Sequence, residues 1–325
     1  MNRTSLFRIT LGLTAAVVLA LPVFAKDDAL SLVPANAATV GMVKLADMRT
    51  SPLSSLLFEH TDKMSADGEA QRFLNDAGLS VTKDIDTIVV ATAPRTSLGS
   101  EADVLIIAEG RFNAERLANA LVARGAVRKG AYLVLPEEAD DDHPAGAVAF
   151  PSTSLAIGGS ERAVIAALAA RASGGTGFRT RGALGADLNR IDEGATAWAL
   201  VDVARATRLT GGTINGGGKG QTGDALQAAL KTVSTLGVWA KDTGDALHLG
   251  GFGISSDAET LELLEDTVRG ALSAMRLAVK DKAPDMVTVL RGFDVSRNKD
   301  AVLVHGSVPA SSLRDLIAKK RASVK

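Results

Sequence analysis

Four histidines, a run of aspartates and a glycine cluster are the first residues in this chain whose chemistry could be put to use. His60, His143, His248 and His305 all lie more than four residues apart, so no zinc spacing of the H-E-x-x-H kind occurs. His248 stands between Leu247 and Leu249 in a strand-like run and reads as a sheet-face residue rather than a base. Asp140-Asp141-Asp142-His143 has the composition of a metal site. A calcium loop, however, needs ligands at alternating positions around a central glycine. Glu137, Glu138 and Pro144 extend this stretch into a solvated hairpin tip instead.

Gly218-Lys219-Gly220-Gln221-Thr222-Gly223 matches G-x-G-x-x-G, with a helix expected from Asp224. A dinucleotide site needs a strand running straight into its first glycine. Here the preceding strand ends near Val203 and Arg205 to Asn215 intervene, while Gly220 after Lys219 breaks the phosphate-loop pattern. The cluster reads as a surface loop. Two stretches approach the G-x-S-x-G nucleophile elbow, Gly253-Ile254-Ser255-Ser256-Asp257 and Gly158-Gly159-Ser160-Glu161-Arg162, and both lack the final glycine. Ser160 reads as a helix N-cap. With no cysteine in the chain, thiol chemistry is excluded. Asp84, Asp86, Glu109 and Arg111 lie on or near strands, but spacing alone pairs none of them. The sequence therefore assigns no catalytic, metal-ligating or cofactor-binding residue, and no cofactor.

The elements that would position any site alternate short β-branched runs with alanine- and leucine-rich amphipathic stretches. In the first half, strands are expected at 38–45, 84–92, 103–109, 131–136, 146–150 and 154–158. Helices are expected at 51–60, 68–77, 113–124 and 160–171. The pair 84–92 and 103–109 is joined by a loop rich in Pro, Gly and Ser, as in a hairpin. Strands that follow one another without a helix between them favour antiparallel pairing with helices on one face.

The same order recurs. Residues 38–46 resemble 196–204, 85–90 resemble 233–238, 113–117 resemble 257–261, and 154–160 resemble 301–307, at offsets of 158, 148, 144 and 147 residues. Asn113 and Asp257 each stand ahead of an acidic first turn, as N-caps do. The expected fold class is α+β, in two similar halves, each a mainly antiparallel sheet with helices packed on one face. The expected boundaries are a signal peptide at 1–25, a first repeat at 26–172, a linker at 173–194 and a second repeat at 195–325. The two sheets are expected to sit side by side or to merge.

The first 25 residues have the zones of a secretory signal. Arg3 and Arg8 precede the apolar run Ile9 to Leu21, Pro22 ends it, and Val23-Phe24-Ala25 offers a cleavage point after Ala25. The run is short for a membrane anchor, and no later segment approaches a span. Cleavage takes the formal charge from −1 to −3, which leaves no basic field for nucleic acid. Aromatic residues make up only 4%, which weighs against a sugar-binding surface. The basic end Lys319-Lys320-Arg321 and Lys325 reads as a solvated last helical turn.

Leu30-Ser31-Leu32-Val33-Pro34-Ala35-Asn36-Ala37 leading into Thr39-Val40-Gly41-Met42-Val43, with Arg49-Thr50-Ser51-Pro52-Leu53 next, resembles the opening of uncharacterised exported bacterial proteins. That resemblance implies an exported α+β protein and transfers no functional residue. The expected function is a non-enzymatic periplasmic or secreted binding or interaction protein, engaging a protein or peptide through a groove between its halves. A hydrolase whose carboxylates assemble only in the fold, and an envelope-structural or stress protein, are the alternatives.

Overall fold

The computed structural model describes residues 28–51, 53, 75–96, 101–136, 146–210, 232–281 and 284–315. The signal at 1–25, the Asp140 to His143 run, the Gly211 to Gly223 cluster, the basic end from Lys319 and nearly all of the two helices expected at 51–60 and 68–77 lie outside them.

The first half runs β1 (Thr39–Lys44), α1 (Leu45–Arg49), α2 (Val81–Asp84), β2 (Ile85–Pro94), β3 (Ala102–Gly110) and α3 (Ala114–Val122). It continues through β4 (Val127–Lys129), β5 (Tyr132–Val134), β6 (Gly146–Ser152), β7 (Leu155–Ser160) and α4 (Glu161–Ala172). The short helices α5 (Phe178–Arg181) and α6 (Ala183–Ala186) follow. Then come β8 (Ala197–Asp202), α7 (Val203–Leu209), β9 (Thr235–Asp242), β10 (Ala246–Ile254), α8 (Ala258–Val279), α9 (Pro284–Arg291), β11 (Asp294–Arg297) and β12 (Ala301–Pro309).

The twelve strands among the described residues belong to one sheet, ordered β11-β12-β10-β9-β8-β1-β2-β3-β7-β6-β5-β4. Every neighbouring pair is antiparallel. Of the two arrangements expected, the sheets merge. They do so where β1 and β8 pair, with Val40 opposite Leu200 and Met42 opposite Trp198.

Side chains alternate between the two faces of a strand, and both faces here are apolar enough to need cover. On one face Leu105 and Ile107 of β3 pack with Ala163, Val164, Ala167 and Ala170 of α4. On the other, Ala108 of β3 and Ile88 of β2 pack with Leu117 of α3. Helices therefore lie on both faces, not on one as the sequence reading expected. A run such as Val104-Leu105-Ile106-Ile107 is apolar at every position and carries no alternation to reveal its buried side.

The main core crosses the join, combining Val40, Val89, Ile107 and Ile157 with Trp198, Leu200 and Phe252. On that face Trp239 lies over Gly250, where a Cβ would come within 2.2 Å of the indole ring. A second core sits under α8, where Leu261, Leu264 and Leu272 meet Val295 and Val302. The stretch 173–194 is itself folded: it carries α5 and α6, and Phe178 and Leu184 are fully buried in the main core.

Local signals act as expected at two helices. The Asn113 side chain accepts from the Arg116 N–H and the Asp257 side chain from the Thr260 N–H. Ser160 differs. It ends β7 and holds the N-cap position of α4 as expected, but its hydroxyl accepts the Val104 N–H of β3 at 3.0 Å instead of an N–H of the helix.

Candidate functional site

A cleft of about 560 Å³ opens on the face of the sheet where β1, β2 and β8 meet the turn at Ala29–Leu32 and the loop before β8. Trp198 of β8 and Met42 of β1, paired across the join, give it an apolar floor with Leu188 and Ile191. Its walls carry Asp28, Asp47, Asp86, Glu109, Asp192 and Glu193, against the cations Lys44 and Arg179.

Backbone geometry sets most of these groups. Alternation along β3 turns Glu109 to the same face as Ile107, and the carboxylate accepts the Ala29 N–H at 2.9 Å across a separation of 80 residues. This bond fixes the Ala29–Leu32 turn against the sheet. Asp28 caps that turn by accepting the Leu30 N–H and pairs with Arg179 at 3.0 Å. At the other end Asp86 pairs with Arg49 at 2.7 Å, and the same guanidinium donates to the carbonyls of Thr82 and Ile85. Asp192 accepts from Lys241 at 2.9 Å and from the Gly194 N–H at 2.8 Å. The Lys241 ammonium holds the Asp192 carboxyl below the usual carboxylate range, against an opposing push from desolvation.

Of the four strand charges that spacing left unpaired, the fold brings Asp86 and Glu109 to this cleft. Asp84 and Arg111 go elsewhere: Asp84 accepts the Ser80 N–H through its side chain and the Arg111 N–H through its carbonyl, and the Arg111 guanidinium donates to the Lys83 carbonyl. Asp28, Asp47, Asp192, Glu193 and Trp198 carry no motif; Asp47, Asp192, Glu193 and Trp198 are signalled only by proximity to strand ends at the join, and Asp28 by its place as the cap of the Ala29–Leu32 turn.

The near-matches to nucleophile elbows are structural. Ser255 is buried and its hydroxyl accepts the Asp257 N–H, leading into α8. At Gly159 the backbone has φ +134°, and a Cβ would sit 2.0 Å from the Val104 carbonyl oxygen, so the strand passes there only as glycine. His248 lies on β10 between Lys241 and Ser307 of the adjoining strands, and His305 sets its ring 5.9 Å from that of Trp239. His60 and His143 are outside the described residues. Among the described residues no three His, Asp or Glu side chains are grouped to hold a metal ion, and no helix is long and apolar enough to cross a membrane.

No protein-family model matches the chain, and no curated protein does. Among solved structures it is similar to crystal form I of TP0453, at 8% identity and a TM-score of 0.46, covering 90% of this chain and 97% of that one. Crystal form III of TP0453 matches at 10% identity and a TM-score of 0.45, over 90% of this chain and 98% of that one.

Proposed function

We propose that the chain is an exported, non-enzymatic binding protein that holds its ligand in the cleft at the β1–β8 join, and that the ligand presents a positively charged group. The composition of the cleft carries this reading. Six carboxylate residues line it over a floor that includes an indole ring, and against Lys44 and Arg179 in the lining and Arg49 and Lys241 paired to Asp86 and Asp192 they leave two negative charges in excess. Such a wall favours an alkylammonium or guanidinium, by charge and by the attraction of a cation to an aromatic face. The volume falls within the range of small-molecule sites, roughly 300–1,000 Å³. A free amine or a basic side chain of a peptide would fit this chemistry.

Two further features support the reading. The positive start, apolar run and small-residue cleavage point of residues 1–25 favour export. Read outward from the join, the strand orders β1-β2-β3-β7-β6 and β8-β9-β10-β12-β11 run in parallel, which favours a duplicated ancestor with its ligand at the boundary between copies. A hydrolytic role is less well supported, because Asp28, Asp86 and Asp192 are each engaged with a cation and Glu109 holds the Ala29 N–H.

Calorimetric titration with spermidine and with arginine methyl ester tests the proposal. Saturable binding that weakens with salt is expected, reduced at least tenfold by combining Asp47→Asn with Glu193→Gln. If neither probe binds, or if the double variant binds as well as the parent, the cleft is not a cation site.

A further inference from the structure

Helix α8 has two apolar faces. Its inner face, with Leu261, Leu264, Val268 and Leu272, packs on the second core. Nearly opposite lie Leu263, Thr267, Gly270, Ala274 and Leu277, spaced by four, three, four and three residues. Leu263 is 57% exposed and Leu277 65%, and a Cβ at Gly270 would meet nothing within 4 Å. A surface helix ordinarily turns polar residues outward. Alternating steps of three and four are the spacing of a helix that packs on another helix.

We propose that this face pairs with the same face of a second copy of the chain, the two helices antiparallel about an axis through Gly270. The sequence of the face is self-complementary about that point. Reversing one helix sets Leu263 against Leu277 of the other copy and Thr267 within one residue of Ala274, and it brings the two Gly270 backbones together, where the absence of side chains permits close approach. A two-fold pair requires this reciprocity, in which each contact is made twice.

Charge fixes the direction. The first half of the helix carries Glu259, Glu262, Glu265 and Asp266, and the second half carries Arg269 and Arg276, with Lys280 just after its end. Glu265 is satisfied within the chain by Arg269 and Arg297, and Arg276 donates to the Leu290 carbonyl. Among the described residues Glu259, Asp266 and Lys280 form no ion pair, and all three border the exposed face. An antiparallel pair brings Lys280 within one residue of Glu259 of the other copy and Asp266 within one residue of its Ser273. A parallel pair would set like charges together. The face spans about 21 Å at 1.5 Å per residue, which places the contact below about 1,200 Å² and among weak, concentration-dependent interfaces.

The absence of cysteine from the chain makes the test direct. Sedimentation of the full chain over a concentration series is expected to show a monomer–dimer equilibrium. Leu263→Lys or Leu277→Lys should weaken it at least tenfold, and Lys280→Glu should weaken it in a way that adding Glu259→Lys reverses. Under mild oxidation the Gly270→Cys variant should cross-link to itself, since a disulfide needs Cα atoms roughly 4.4–6.8 Å apart. The Leu277→Cys variant alone should not cross-link, but should do so when mixed with Leu263→Cys. A chain that stays monomeric at every concentration would overturn the proposal. So would a dimer indifferent to these substitutions, or self-linking by Leu277→Cys as efficient as that by Gly270→Cys. Far-UV circular dichroism of each variant confirms that it is folded.

Discussion

Leu200→Ala tests whether the two halves are one folding unit. Leu200 is fully buried on β8, opposite Val40 of β1, in the core that crosses the join. A buried leucine truncated to alanine costs about 2–5 kcal/mol, the transfer of the lost methyls plus the cavity left behind. Taking about 3.5 kcal/mol and a urea slope of about 3 kcal/mol/M for a chain of this size, the midpoint falls by about 1 M. Tryptophan fluorescence reports on Trp198 and Trp239, both in the second half, whereas far-UV circular dichroism reports on both halves. Because the sheet is continuous through β1 and β8, both signals should move together in one transition. A loss below about 1 kcal/mol would refute the reasoning. A shifted fluorescence transition beside an unshifted half of the dichroism signal would refute it too, because the halves would then fold separately.

Gly159→Ala places a Cβ against the Val104 carbonyl at a backbone angle that L residues avoid. It should cost about 2 kcal/mol or more, read by thermal denaturation, and an unchanged midpoint would contradict the geometry. Asp257→Ala removes the cap of α8 and should cost about 1 kcal/mol in the same assay. The Glu161 carboxyl is held below its ordinary value first by the Lys129 ammonium and then by the Tyr132 hydroxyl. Its contribution is therefore complete above about pH 4.5 and is lost as pH falls through the depressed value. Glu161→Gln should flatten the decline in stability between pH 5 and 3 relative to the parent, and parallel curves would exclude the linkage.

Much of the fold was legible in the sequence. Short apolar, β-branched runs and flanking turn residues placed β2, β3, β6 and β7 to within a few residues, and Asn113 and Asp257 announced α3 and α8. The short edge strands β4 and β11 differ in this respect. They hold three and four residues, too few to establish a period. The stretch 173–194 looked like a linker because Gly174, Gly175 and Gly177 open it, yet these glycines adopt left-handed turns that deliver Phe178 to the core. The cleft was less legible because its members come from the Ala29–Leu32 turn, four strands, the helices α1 and α5 and the 187–195 loop. The bond from Ala29 to Glu109 spans 80 residues, and no local pattern encodes it. Asp86 and Glu109 were visible as strand charges, but Asp192 and Glu193 join them only when β1 and β8 pair, and Asp28 only through the Ala29–Glu109 bond and its ion pair with Arg179.

The central claim is that the cleft at this join takes a positively charged ligand, and Trp198 on its floor is the reporter. In a Trp239→Phe variant Trp198 is the sole tryptophan, so its emission follows the cleft alone. Spermidine should quench or shift that emission along a saturable curve, and raised salt should move the midpoint to higher concentration. An emission spectrum unchanged at saturating spermidine, or a change that Asp47→Asn with Glu193→Gln leaves intact, would contradict the account.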